Sequence, residues 1–196
     1  MTHSDPDHDT WLRFISGDPD AFSDLYDRYA GVLYAFGMRY STDADLVKDC
    51  IHDLFIDLHG YRRNLARNVN VRFYLLKSLR RKLHAVYRRS SMLHFDRWDT
   101  EDSLAINTFT FSIEQELIMD EKEREILRHL AAEINRLPDR QREILYLRFH
   151  QDLDYEEIAA IMQISVPTCR TLIYRALKQL RGKLEFGAIL LIMCCQ

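Results

Sequence analysis

The sequence predicts an all-α protein made of two small helical domains joined by an acidic linker. It contains six glycines and four prolines in 196 residues, and no stretch alternates clearly between apolar and polar residues as a half-buried strand would. Apolar residues instead recur every three or four positions, which is the spacing of one helix face. An apolar content of 47% with 29% charged residues is typical of a globular chain.

Charge is distributed unevenly along the chain, although the net charge is only −3. Residues 1–57 contain twelve aspartates and four Lys or Arg, whereas residues 58–95 contain ten Lys or Arg and no acid. Residues 165–184 contain five further cations and no acid. Separate acidic and basic surfaces favour a protein that binds two different kinds of partner.

The first domain begins with two predicted helices. A short one covers about residues 9–15, and the run Gly17-Asp18-Pro19 ends it. The second, about residues 20–40, carries apolar and aromatic residues at spacings of three and four, so this face is expected to belong to the core.

The third predicted helix, residues 43–58, has an apolar face and a separate acidic face. Aspartates at positions 45, 49, 53 and 57 follow each other at intervals of four. Like charges at this spacing cost about 0.2–0.5 kcal/mol per pair. The pattern is therefore compatible with a helix that meets a cationic partner, and equally with a solvated acidic face.

A basic loop, residues 60–70, and a basic helix, about residues 71–89, come next. The helix is expected to bury a leucine stripe and to carry Lys77, Arg81, His84 and Arg88 along the opposite side. Cations track phosphates, and flat side chains stack on unpaired bases. The segment therefore predicts a nucleic-acid strand as its partner, with a merely solvated basic face as the alternative.

Residues 94–118 are interpreted as an acidic linker, since six acids oppose one arginine between residues 90 and 117. The tail, residues 185–196, contains eight consecutive apolar residues, too few for the ~20 that a membrane-spanning helix needs. We expect this tail to dock on the chain's own domains, because exposed it would promote aggregation. The linker and tail are expected to hold the two domains together and partly to cover the basic helices, with a separate partner protein as the alternative source of that cover.

The second domain, residues 119–184, ends in two short helices joined by a tight turn. Asp154 and Glu157 predict a capping box at the start of the first helix, and Ser165 can cap the second, with Pro167 in its first turn. An apolar stripe through Ile173 and Leu180 leaves the basic residues on the other face. This is the design of a helix-turn-helix, whose second helix enters the major groove, although an ordinary helical hairpin gives a similar pattern.

The cysteines show no metal-ligand spacing, and Cys50 and Cys169 are expected to be buried thiols. No signal peptide is visible, so a reducing, cytoplasmic compartment is expected. We expect no catalytic residue, no metal and no cofactor.

Three segments together resemble an extracytoplasmic-function sigma factor of the sigma-70 family: Asp43 to Leu58, the basic segment through Arg89, and Leu137 to Lys183. The resemblance covers about residues 9–93 and 119–184, and the apolar tail resembles that of a subgroup expanded in bacteroidete bacteria. It implies core RNA polymerase, promoter DNA and an anti-sigma factor as partners, and no membrane insertion.

The resemblance also implies which residues make each contact. Residues 9–93 would be sigma domain 2, which binds polymerase and melts and reads the −10 element, and residues 119–184 would be sigma domain 4, which reads the −35 element. The implied polymerase contacts are Asp45, Asp49, Asp53, Leu54, Phe55 and Asp57. The implied −10 contacts are Arg67, Asn68, Asn70, Arg72, Tyr74, Lys77, Arg80, Arg81, His84 and Arg88. The implied −35 contacts are Ser165, Pro167, Thr168, Arg170, Thr171, Tyr174, Arg175 and Lys178. Arg81 stands where the family usually has Asn, and Tyr74 where a Trp is common.

Two other functions compete with this interpretation. A stand-alone helix-turn-helix regulator with a helical N-terminal sensor or partner-binding domain would bind duplex DNA by itself and would not need a basic helix at residues 71–89. An HD-type phosphohydrolase is suggested by His52-Asp53, but the further His and Asp ligands of that enzyme cannot be placed in this sequence.

Overall fold

The structure is a computed structural model that describes residues 6–93 and 121–181. The predictions made for the linker and for the apolar tail lie outside these residues. The chain divides into two compact units, residues 1–107 and 108–196, and every regular element in the described ranges is helical. Unit 1 contains α1 (Pro6–Ile15), α2 (Pro19–Gly37), α3 (Ala44–Tyr61), a 3₁₀ turn (Arg62–Asn64) and α4 (Val71–Leu93). Unit 2 contains α5 (Glu121–Asn135), α6 (Asp139–Leu145), a π-helical turn (Tyr146–His150), α7 (Tyr155–Met162) and α8 (Val166–Arg181). The all-α fold class is confirmed.

Aspartate side chains cap the starts of two helices in unit 1, whereas α1 begins at Pro6, three residues before its predicted start. The Asp18 carboxylate accepts hydrogen bonds from two backbone N–H groups at the start of α2, and Asp43 does the same for α3. The helix ends differ from prediction by a few residues. Helix α2 ends at Gly37 rather than near residue 40, because Arg39 and Tyr40 donate to carbonyls three residues back and tighten the chain into turns.

Helices α3 and α4 both continue past their predicted ends, to Tyr61 and to Leu93. Neither extension contains a proline, and the single glycine, Gly60, is tolerated within a helix at a cost of about 1 kcal/mol. The predicted basic loop therefore begins only after Tyr61, and its first residues form the 3₁₀ turn.

The core of unit 1 lies where α1, α2, α3 and α4 meet. Trp11, Leu25, Leu33, Leu75 and Leu79 are completely buried, so the aromatic and leucine stripes found in the sequence do face inward. Helix α4 packs on both α2 and α3, which fixes the acidic face of α3 and the basic face of α4 on one small scaffold.

Unit 2 is built around α8, which packs on α6 and α7. A buried cluster joins α5, α6 and α8, and its members are Leu130, Ile134, Leu137, Leu145, Ala176 and Leu180. The predicted capping box is present, with Asp154 accepting from the Glu157 N–H at 2.7 Å and Glu157 accepting from the Asp154 N–H at 3.1 Å. Gln163 then takes a left-handed backbone conformation, φ +56°, that turns the chain into α8.

The two cysteines of the described part of the chain, Cys50 and Cys169, are both buried free thiols, as expected. Burial raises the pKa of each. None of the described helices is both long enough and apolar enough to cross a membrane.

Candidate nucleic-acid interface

Helix α8 presents a polar, basic face above a buried apolar one. The Ser165 hydroxyl accepts from the Thr168 N–H at 3.3 Å and caps the helix, and the Thr171 hydroxyl donates to the Pro167 carbonyl at 2.9 Å. Cys169, Ile173, Ala176 and Leu180 are buried. The remaining face is exposed along its whole length, at Ser165, Pro167, Thr168, Arg170, Thr171, Tyr174, Arg175 and Lys178. All eight predicted −35 contacts therefore lie on one accessible surface.

Tyr155 connects α8 to the rest of unit 2 in a way that sequence reasoning missed. Its ring centroid lies 5.3 Å from the Arg170 guanidinium and 5.2 Å from the Arg148 guanidinium. Arg148 in turn donates to the Leu153 carbonyl at 2.8 Å. A guanidinium at such a distance from a tyrosine face gains about 0.5–1 kcal/mol, so Tyr155 limits the directions that Arg170 can take.

Helix α4 presents Lys77, Arg81 and Arg88 on one exposed face, as the helical spacing predicts. His84 belongs to the same row but is half-buried, and burial together with the positive charge of Arg80 lowers its pKa to about 4. At neutral pH His84 is therefore uncharged. The helical spacing groups His84 with the cations Lys77, Arg81 and Arg88, but His84 adds an uncharged ring to this face and not a positive charge.

The loop before α4 exposes Arg67, Asn68 and Asn70. Asn70 also has a structural task, since its side-chain oxygen accepts from the Phe73 N–H at 3.1 Å and caps α4. The indole N–H of Trp11, in α1, donates to the Ala66 carbonyl at 2.9 Å. The partners of this bond are 55 residues apart, so no local pattern could indicate it.

Arg72, Tyr74 and Arg80 complete the set of predicted −10 contacts, and all three are partly buried. The ring of Tyr74 lies 5.5 Å from that of Trp11, and the Arg80 guanidinium lies 5.9 Å from the Tyr40 ring. These side chains stand at the boundary between the core and the basic surface, so packing fixes their positions.

The acidic face of α3 exposes Asp45, Asp49, Asp53 and Asp57, as predicted. Asp57 already has a cationic neighbour within its own unit, because it forms an ion pair with Lys82 of α4 at 2.7 Å. The like-charge row that suggested an external cation is thus partly neutralised by the adjacent helix.

Two predicted polymerase contacts are buried. Leu54 and Phe55 are each only 2% exposed and support α3 from the core, although Phe55 also lines a neighbouring groove. Their neighbour Ile56 is 55% exposed and lies among the aspartates. The signal was available in the sequence, since Ile56 follows Asp45 and Asp49 by eleven and seven residues and therefore shares their helix face.

A groove of about 600 Å³ lies beside Ile56, between α3 and the turn from α1 to α2. It is lined mainly by rings and aliphatic groups, among them Phe22, Tyr26, Phe55 and His59. Tyr26 is 41% exposed. Helix α3 therefore combines an acidic ridge with an accessible apolar margin, and aromatic side chains like those of the margin are enriched in protein interfaces.

The sequence of unit 2 matches a family model described as "Sigma-70, region 4" over residues 127–180. Relatives match over most of the chain. The ECF RNA polymerase sigma-E factor of Escherichia coli (strain K12) is 29% identical over 178 residues, which cover 88% of this chain and 91% of that protein. The RNA polymerase sigma factor YlaC of Bacillus subtilis (strain 168) is 27% identical over 162 residues, 83% of this chain and 91% of that protein.

Solved structures show a similar fold. The sigma factor RpoE from Bartonella quintana, crystallised with the anti-sigma factor NepR, has a TM-score of 0.58 and 20% identity over 82% of this chain and 94% of that chain. CnrH, solved in complex with the cytosolic domain of CnrY, gives the same TM-score and identity over 91% of this chain and 96% of that chain. At this identity the likeness concerns the helical architecture.

Proposed function

This chain is an extracytoplasmic-function RNA polymerase sigma factor of the sigma-70 family, and we propose that its two helical units divide promoter recognition between them. A sigma factor directs core RNA polymerase to specific promoters and helps to melt the −10 region. It is a transcription initiation factor and not a catalyst by itself, and we assign this chain no catalytic residue. The bacteroidete subgroup stays a prediction.

We assign −35 recognition to residues 119–184. The observation that carries this assignment is the continuous exposed face of α8, which bears Arg170, Arg175 and Lys178 and follows a capped helix and a tight turn. In a helix-turn-helix the N-terminal residues of the second helix meet base edges. Ser165, Pro167, Thr168 and Thr171 occupy that end, and the cations further along are placed to bind phosphates.

We assign −10 recognition and melting to the basic loop and to α4. Exposed cations on α4 suit a phosphate backbone, while the neighbouring aromatic and amide side chains suit bases removed from the stack. His84 is better suited to contact an unstacked base than a phosphate, because it is half-buried and uncharged at pH 7.

We assign polymerase binding to the exposed face of α3. Asp45, Asp49 and Asp53 supply negative charge, and Ile56 supplies the apolar anchor that such interfaces need near their centre. Charged residues around an anchor act mainly on the rate of association and on partner choice. This division predicts that the aspartates and Ile56 respond differently to salt.

We also propose that an anti-sigma factor binds the chain when it is not in use, and that both act in the cytoplasm. The support for this proposal is that RpoE from Bartonella quintana was solved with an anti-sigma factor and CnrH with the cytosolic domain of another protein.

Co-purification tests the proposal. The tagged chain, expressed in its source bacterium, should recover the subunits of core RNA polymerase, and Asp49→Lys combined with Asp53→Lys should abolish the recovery without unfolding the chain. The matched control is Asp20→Lys with Asp27→Lys, which makes the same charge change on exposed positions of α2. If both double variants recovered polymerase equally well, α3 would not be the docking surface.

A further inference from the structure

We propose that Trp11 is a positioning residue for promoter melting, because its indole N–H fixes the loop that carries the predicted −10 contacts Arg67, Asn68 and Asn70. This inference rests on the proposed function of that loop. It assigns a task in DNA recognition to α1, which contains none of the predicted DNA contacts.

The geometry singles out one hydrogen bond. Trp11 is completely buried, and its Nε1 donates to the Ala66 carbonyl at 2.9 Å. A buried indole N–H needs an acceptor, since leaving it unsatisfied costs free energy. The bond therefore fixes the backbone immediately before Arg67.

Backbone hydrogen bonds fix the two ends of the loop and leave its middle to the Trp11 bond and to the half-buried Val69. On one side the Leu65 N–H donates to the Arg62 carbonyl at 3.3 Å and closes the 3₁₀ turn, and on the other side Asn70 caps α4. Ala66, Arg67 and Asn68 are exposed, so burial does not fix them. Val69 is half-buried, and the Trp11 bond ties the exposed residues just before it to the helical core.

Trp11 also contacts Tyr74 of α4, one of the predicted −10 contacts. Its ring centroid lies 5.5 Å from that of Tyr74, at an interplanar angle of 57°. A single buried side chain thus sets the loop backbone through its N–H and an α4 aromatic through its ring. A loop that must receive an unpaired base binds it more tightly when its geometry is formed in advance.

Trp11→Phe tests the inference, because it keeps a large apolar ring and removes the donor. The reagents are core polymerase and a promoter selected by the unaltered holoenzyme from a randomised library. Permanganate reactivity of unpaired thymines measures opening at the −10 region. We expect Trp11→Phe to bind polymerase normally and to lower the equilibrium amount of opened promoter about three- to tenfold, the effect of one lost hydrogen bond.

The matched control is Phe14→Leu. Phe14 is a buried aromatic of the same helix, 5.8 Å from Trp11, with no bond to the loop. The Phe14→Leu variant should have a lower thermal stability, but the same amount of folded protein should open the promoter to the same extent as the unaltered chain. Equal opening by Trp11→Phe and the unaltered chain would overturn the inference, and so would an equal defect in both variants.

A second measurement needs no polymerase. In Trp11→Phe the ¹⁵N order parameters of residues 66–69 should fall, whereas Phe14→Leu should leave them unchanged. Unchanged order parameters in Trp11→Phe would contradict the inference directly. If the unaltered chain opened no promoter with core polymerase, the proposed function itself would fail, and the order parameters would still show whether Trp11 holds the loop.

Discussion

The Arg170 guanidinium lies 5.3 Å from the ring centroid of Tyr155, so the first residue of α7 supports an exposed cation of α8. Arg148 lies on the same ring at 5.2 Å. The helix-turn-helix is therefore held together by a polar stack at its surface in addition to the buried cluster beneath it. Tyr155 lies outside α8, yet through Arg170 it can influence which DNA sequences α8 prefers.

Replacing Tyr155 should weaken −35 recognition without removing any DNA contact. Tyr155→Leu loses the aromatic face, and we expect a two- to fivefold loss in −35-dependent transcription, equivalent to about 0.5–1 kcal/mol. Tyr155→Phe keeps the face and should behave like the unaltered chain. Run-off transcription at a fixed salt concentration measures both. Equal losses in the two variants would point to the hydroxyl group and not to the stack.

Arg175 and Lys178 should differ in what they contribute. We expect Arg175→Ala to cost about 1–3 kcal/mol and to relax base preference, whereas Lys178→Ala should weaken all promoters alike and reduce the salt slope of holoenzyme binding by about 0.9. Gln179→Ala is the matched control, since Gln179 is an exposed but uncharged neighbour. A salt slope unchanged by Lys178→Ala would argue that Lys178 does not touch the phosphate backbone.

Replacing Ile56 should affect mainly polymerase binding, whereas replacing Leu54 on the same helix should affect mainly stability. Ile56→Ala removes an exposed side chain, so we expect the free energy of unfolding to change by less than about 0.5 kcal/mol and polymerase affinity to fall by about 1–2 kcal/mol. Leu54→Ala creates a cavity and should cost about 2–5 kcal/mol of stability. Urea denaturation and titration with labelled polymerase measure the two quantities. A stable Leu54→Ala variant that fails to bind would restore Leu54 as a direct contact.

His84 should make stability depend on pH. Its pKa is about 4 in the folded chain against an ordinary value of 6.5, so between these values the unfolded chain binds a proton that the folded chain does not. The free energy of unfolding contributed by His84 is therefore complete above pH 6.5 and is lost as the pH falls toward 4. When the free energy of unfolding from urea denaturation is plotted against pH over this range, the plot for His84→Gln should be flatter than that for the unaltered chain. Parallel curves for the two proteins would show that His84 titrates alike in both states.

Two glycines of α2 should respond in opposite ways to alanine. A Cβ on Gly37 would lie 2.5 Å from Val47 Cγ1, and Val47 is completely buried, so Gly37→Ala should destabilise the chain by about 1–3 kcal/mol. A Cβ on Gly31 would meet no atom within 4 Å beyond the neighbouring backbone of its own helix, so Gly31→Ala should stabilise the chain by about 0.5–1 kcal/mol. Thermal unfolding compares them. A stable Gly37→Ala variant would mean that α2 and α3 can separate slightly at no cost.

The local chemistry of the sequence was sufficient to predict the helix-turn-helix of unit 2. The Asp154 box, the Ser165 cap and the apolar stripe through Ile173 each depend on residues a few positions apart, and all are present in the structure. The same reasoning placed the aspartates of α3 and the cations of α4 on exposed faces, because helical periodicity alone decides which residues share a face.

Contacts between distant segments could not be predicted in this way. The Trp11 bond to Ala66, the Asp57 pair with Lys82 and the stack on Tyr155 each join residues from different elements. Periodicity also does not say how far neighbouring helices cover a face, which is why His84 is half-buried within an otherwise exposed row. Leu54 and Phe55 were assigned by resemblance to a polymerase surface, although their place in the apolar stripe of α3 already indicated burial.

Transcription reconstituted from purified core polymerase, this chain and a randomised promoter library is the most direct test of the central claim, that two separate basic surfaces are delivered to one promoter by polymerase. We predict run-off transcripts only when chain and core are both present, and only from promoters that share two sequence elements. The preference for one element should be lost in Arg175→Ala, and the preference for the other in Arg81→Ala. The claim would be contradicted if core polymerase gave no transcript with the chain while the isolated chain bound one duplex sequence tightly and specifically.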